Sequence, residues 1–157
     1  MIPLGIVTFT LVKFFHILIA IIAVGFNASY AIWISHASKE PEHELFTLKG
    51  IKVLDDRYAN PGYALLLLTG LWMVRLAHYS IFHTFWLGTA LGIYVATALL
   101  AALVYTPTLK KQIALLEAGQ GRTPEYKSVA QRGTFVGMLL GVFVIAIVFL
   151  MVTKPAL

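Results

Sequence analysis

The residues suited to chemistry are few, and they sit in apolar surroundings. Lys13, His16 and Asn27 interrupt the run KFFHILIAIIAVGFNASY, while Arg75 and His78 close a second apolar run. Ionisable side chains inside an apolar span are costly and mark a functional site by default. Two neutral imidazoles facing each other across a helix pair are what a b-type haem takes as axial ligands. His16 and His78 are therefore the candidate metal ligands. Lys13 and Arg75 are candidate partners for haem propionates, and Asn27 is a further candidate contact to a cofactor. Counted from the polar connections, His16 lies about 18 residues and His78 about 17 residues from the inner end of its helix, roughly 26 Å at ~1.5 Å per residue. Antiparallel neighbours would bring the two to matching depth.

The plainer reading of the same residues is structural. An intramembrane histidine or asparagine also serves as hydrogen-bond glue between helices. Arg75 at a helix end snorkels to the headgroups. His78 lies off the seam Gly62, Leu66, Thr69, Met73 of its own helix, which suits an interfacial residue. His36, His43 and His83 fall in polar connections or at a surface.

Stepping along the first run by three, four and three residues reaches Lys13, His16, Ala20, Ala23, Asn27 and Tyr30. This is one narrow line of small and polar side chains on a helix otherwise made of Ile, Leu, Val and Phe. Such a line turns toward partner helices and away from lipid. Four apolar spans are expected, over about residues 4–34, 61–79, 84–105 and 134–152, each long enough for a hydrocarbon core about 30 Å thick. Short amphipathic helices are expected in the two long connections, over residues 42–54 and 108–118, the second stopped by Gly119 and Gly121. The fold class is thus all-α, a polytopic membrane four-helix bundle forming a single domain over residues 1–157.

Composition points the same way. The chain is 59% hydrophobic and 12% charged, with a mean hydropathy of +0.83. Soluble domains carry about 25% charged residues, so this surface suits lipid as its solvent. There is no cysteine, which excludes disulfides, thiolate metal sites and thiol catalysis. The first helix lacks a basic n-region and a small-residue cleavage site, so it reads as retained. No HxxxH, HExxH, phosphate-binding glycine loop or hydrolase triad is present, and no catalytic residue is assigned. Asp55 and Asp56, beside Arg57, read as a local ion pair or cap.

The net charge of +5 speaks to topology, not to nucleic acid. Lys39, Lys49, Lys52, Arg57, Lys110, Lys111, Arg122, Lys127 and Arg132 lie in the long connections, whereas the opposite side holds Arg75 and Lys154. The positive-inside rule puts the connections in the cytoplasm and both termini outside. Gly133, Gly137 and Gly141 recur every four residues on the fourth helix, as do Gly88, Gly92 and Ala96 on the third. Small residues at that interval let helices approach closely. Trp33, Trp72 and Trp86 suit an aromatic belt.

Several stretches carry a resemblance: K-F-x-H-I-L near the start, L-D-D-R-Y-A-N-P-G-Y-A-L-L-L-L-T-G-L-W into the second span, P-E-Y before the fourth, and the terminal M-V-T-K-P. Together they resemble a bacterial family of predicted integral membrane proteins named only as a domain of unknown function, number 2269. The resemblance implies a bacterial inner-membrane location and four spans, and no activity. Lys-x-x-His in helix one and T-G-L-W after a proline are also similar to HemJ-type protoporphyrinogen oxidases, and the four-helix layout is similar to CopD-type proteins. In the HemJ type the first-helix histidine is implicated in haem binding, which maps onto His16. Here Val24-Gly25-Phe26-Asn27 replaces the Trp-x-x-Gly of that type, so the likeness carries a haem site at His16 and no oxidase activity.

Three function classes follow. The first is a binding or structural subunit of a membrane assembly, partnered by the lipid bilayer and by a membrane complex or further copies of itself. The second is a cytochrome-like protein holding haem b through His16, an oxidoreductase if so loaded. The third is a small-solute or metal transporter.

Overall fold

The computed structural model describes residues 4–155, and all regular structure among them is helical. Helix α1 spans Leu4–Ala37 and α2 spans Pro41–Leu54. A π-helical segment, Asp55–Ala59, leads without a break into α3, Asn60–Leu76. After a turn, α4 (Phe85–Leu100) passes through a second π segment, Ala101–Tyr105, into α5 (Thr106–Glu117). Helix α6 covers Pro124–Thr153.

The chain therefore folds as two long antiparallel helical hairpins. In the first, α1 returns through a three-residue tip as α2 and α3. In the second, α4 and α5 run down and α6 runs back. Within each hairpin the principal packing is α1 on α3 and α4 on α6. The hairpins meet near their tips, where α2 packs on α5, and along a narrower line between α1 and α6. The buried core lies at this junction: Tyr30, Leu48, Ile51 and Leu109, flanked by Phe26, Ile34, Leu54, Tyr105, Ile113 and Leu116. Among the described residues no Cα of α3 comes within 8 Å of a Cα of α4. The expected bundle is thus open on that side.

The connections also differ from expectation. The short helices expected over 42–54 and 108–118 are the inner ends of long helices. Pro61 opens the second expected span and Pro107 lies between the third span and the second short helix, and a proline lacks a donor and crowds the carbonyl four residues back. Each instead sits two residues after a π segment. There the Asn60 N–H bonds to the Asp55 carbonyl and the Thr106 N–H to the Ala101 carbonyl, one residue beyond the α-helical partner. The wider turn re-routes the backbone groups that proline frees, so the helix continues.

The helix ends are where residue type decides. His78 has φ of 56°. Tyr79 N–H bonds to the Val74 carbonyl at 3.1 Å and His78 N–H to the Arg75 carbonyl at 3.3 Å. This is a Schellman stop with histidine in the left-handed position usually held by glycine. Gly119, φ 71°, ends α5 by the same pattern of bonds. Thr123 caps α6 by accepting from Tyr126 N–H at 3.2 Å. Among the described residues, three helices are long and apolar enough to cross a membrane: Leu4–Ala37, Phe85–Glu117 and Pro124–Thr153. Helix α3 is shorter, at 17 residues.

Candidate functional site

The line of residues on α1 is the organising feature, and it faces α3. Ala23 is fully buried against Gly62, where an added Cβ would stand 3.3 Å from the Ala23 Cβ. Seven residues earlier on α1 and seven later on α3, His16 Nδ1 meets Thr69 Oγ1 at 2.8 Å. The same side chain lies over Gly70, whose Cβ would come 3.3 Å from His16 Cε1. Toward the tip, Phe26 packs on Tyr58 with ring centroids 5.8 Å apart. Glycine at 62 and 70 thus lets α1 approach α3 closely.

This arrangement assigns the histidine tautomer. Thr69 has one hydroxyl hydrogen, and the Leu65 carbonyl lies 2.7 Å away to take it. Thr69 Oγ1 then accepts from His16 Nδ1–H, leaving the Nε2 lone pair as the free acceptor or ligand position.

Below it, the Asn27 amide donates to Tyr63 Oη at 2.5 Å, and Tyr94 Oη donates to the Tyr63 backbone carbonyl at 2.8 Å. Tyr94 reaches across from α4 and is the polar bridge over the open side.

Nearer the tip, the first π segment carries Asp55. Asp55 is buried, and its Oδ2 accepts from Asn60 Nδ2 at 3.4 Å. Burial holds its carboxyl above the ordinary carboxylate range. The adjacent Asp56 adds to this, while the Asn60 bond and Lys52 oppose it. Lys52 itself pairs with Asp56. Tyr30, Tyr63 and Tyr105 lie within electrostatic reach of Asp55. Tyr30 Oη is buried without a hydrogen-bond partner among the described residues. A buried acid beside an unpartnered hydroxyl can hold a proton or a small polar guest.

The expected site residues distribute unevenly. His16 and Asn27 lie on the α1–α3 contact. Lys13 and Arg75 are exposed and take part in no ion pair among the described residues. His78 is not brought to His16. The register puts Thr69 opposite His16, and His78 is nine residues further along, roughly 13 Å at ~1.5 Å per residue, in an exposed turn. The matching-depth expectation assumed that both helices start level. They do not, because α1 runs on past Gly62 to pack against α2. No cluster of three or more His, Asp or Glu suited to a metal occurs among the described residues.

The family model for predicted integral membrane proteins, DUF2269, matches residues 10–155. The chain belongs to this family. No curated protein and no solved structure matches it. As a DUF2269 protein it is an integral membrane protein whose family has no assigned activity. The matched region holds every residue of the line from Lys13 to Tyr30, and Asp55.

Residue reading alone missed Thr69 and Gly70 as the cradle of His16, and Asp55 as a buried acid. A signal for the second was present: paired acids directly after Leu54, with a proline five residues beyond Asp56, compress charge into a helix that has no room for a loop.

Proposed function

We propose that this DUF2269 protein is a non-catalytic subunit of a membrane assembly. It crosses a bacterial inner membrane four times, with α3 as the short span, both termini outside and the hairpin tips in the cytoplasm. The observation that carries the reading is the bare face of α4. Gly88 is filled from within, since a Cβ there would lie 2.9 Å from the Ile81 carbonyl oxygen. Gly92 has nothing within 4 Å, and Ala96 one turn on is exposed. On α6 the corresponding row is used internally at two of its three glycines: Gly133 abuts Gln112 and Thr108, Gly137 abuts Tyr105, and Gly141 meets nothing within 4 Å. A small-residue row that meets no helix of its own chain, on the face of α4 turned away from Tyr94 and α3, suits docking of another transmembrane helix. The polar line on α1 then holds the first hairpin together. Replacing Gly92 and Ala96 with leucine would abolish co-purification of the assembly in mild detergent while leaving the thermal unfolding of the chain unchanged. A wild-type chain that runs as a bare monomer after the gentlest extraction argues against the proposal.

A second reading has one specific support, the free Nε2 of His16. Histidine ligands to a metal commonly donate their other ring N–H to a fixed acceptor, and Thr69 fills that role. His16 would be a single axial ligand to haem b, with Lys13 and Arg75 on the outer side of it as cations for the propionates. When bound, the haem would supply one-electron chemistry. His16 would fix its iron, and Thr69 would fix the ring of His16. A Soret band after haem-replete expression that disappears in His16→Ala supports this reading, and the absence of any band removes it.

A further inference from the structure

The tips of the two hairpins enclose a cleft beside the start of α6. Its walls are the beginning of α2, at Pro41 and Glu44, and the turn carrying Gly119 and Gly121. Gly121 packs against the end of Leu116, and a Cβ there would fall 2.7 Å from Leu116 Cδ2 and displace it. The turn therefore adds backbone and no bulk to the wall.

Charge in the cleft is net positive, with Arg122 and Lys127 set against the Glu44 carboxylate. Glu44 Oε1 accepts from Tyr126 Oη at 2.6 Å. Glu117 pairs with Lys49 and Glu125 with Lys111, both at 2.7 Å. Arg122 and Lys127 line the same cleft, are exposed, and have no carboxylate within 4 Å among the described residues. Two cations thus stand at the mouth with the neighbouring acids already engaged.

The cleft does not end at the polar zone. Lys127, Gln131, Thr134 and Met138 follow one another at intervals of four, three and four residues, so they share one face of α6. Beyond them Val142, Ile145 and Phe149 continue that face, 60%, 69% and 61% exposed. The surface is basic at its mouth, polar for one turn, then apolar for the length of the span. That order is the chemical order of a phospholipid: anionic phosphate, glycerol esters, acyl chain.

We propose that this cleft binds an anionic phospholipid, its phosphate between Arg122 and Lys127 and one acyl chain along α6 past Met138. Basic pockets beside transmembrane helices on the cytoplasmic side recognise anionic headgroups, and each Lys or Arg contributes measurably. The site is independent of the docking face on α4, which lies on another helix.

The test is native mass spectrometry of the full-length chain titrated with phosphatidylglycerol or phosphatidylcholine of identical acyl chains. The wild type is expected to hold phosphatidylglycerol roughly ten- to thirtyfold more tightly. Arg122→Gln with Lys127→Gln is expected to erase the preference. Lys110→Gln with Arg57→Gln, which removes the same charge away from the cleft, is expected to keep it. Equal loss in both double variants would overturn the proposal by showing a bulk charge effect. So would equal affinity for the two lipids in the wild type, or displacement of the lipid by inorganic phosphate at comparable concentration.

Discussion

His16 Nδ1 and Thr69 Oγ1 lie 2.8 Å apart between α1 and α3, and the Thr69 hydroxyl is 2.7 Å from the Leu65 carbonyl. The pair joins two residues 53 positions apart in sequence and sets the register of the first hairpin. Thr69→Val removes the acceptor while keeping the shape, leaving the His16 Nδ1–H unpaired. Loss of such a bond inside a membrane protein costs about 0.5–2 kcal/mol. Thermal unfolding in detergent should show that loss for Thr69→Val and little change for Thr69→Ser. Gly70→Ala should act in the same direction by pressing on the His16 ring.

Asn27 and Tyr63 should behave as a coupled pair. Either Asn27→Leu or Tyr63→Phe removes their shared hydrogen bond, so the second change should cost less once the first is made. A double-mutant cycle read by reversible unfolding should give a coupling of about 0.5–2 kcal/mol. Additive effects would mean that the two side chains do not bond.

Asp55 predicts a pH dependence. Its carboxyl is raised in the folded chain, chiefly by burial. A raised acid favours folding while protonated, so the contribution is complete below the ordinary carboxylate value, near pH 4. It is lost as pH climbs through the raised value. Asp55→Asn keeps an acceptor for Asn60 and cannot ionise. It should be more stable than the wild type at pH 7, with the difference shrinking as pH falls toward 4. A wild type that gains stability over the same rise in pH, relative to the variant, would show the opposite sign.

His78 should be replaceable with profit. A non-glycine residue held left-handed costs about 1 kcal/mol. His78→Gly should therefore raise the unfolding temperature, and His78→Val should lower it. If haem binds, His78→Gly should leave its spectrum intact, whereas His16→Ala should not.

Much of the fold could be read from residue order, and the failures have common physical causes. The α1 line from His16 to Tyr30 was legible because a 3.6-residue period places small and polar side chains on one face. The glycine rows were legible as packing surfaces, but not which one the chain uses itself. That depends on Tyr105 and Gln112 arriving from a helix expected to have ended. The π segments were invisible, since proline signals a break unless the preceding turn widens. With the start of the second span at Pro61 set level with the inner end of α1, His78 was placed opposite His16, whereas Gly62 packs on Ala23. Asp55 was read as part of a local ion pair or cap, whereas in the continuous helix it is buried.

The docking face on α4 is the central claim, and the absence of cysteine makes it directly testable. A benzophenone attached to a single thiol at Gly92→Cys, photoactivated in native membranes, should give a discrete higher-mass protein adduct. The same probe at Val142→Cys, on the exposed face of α6, should label lipid and leave the chain at monomer mass. A monomer at Gly92→Cys, or the same adduct from both positions, would contradict the account.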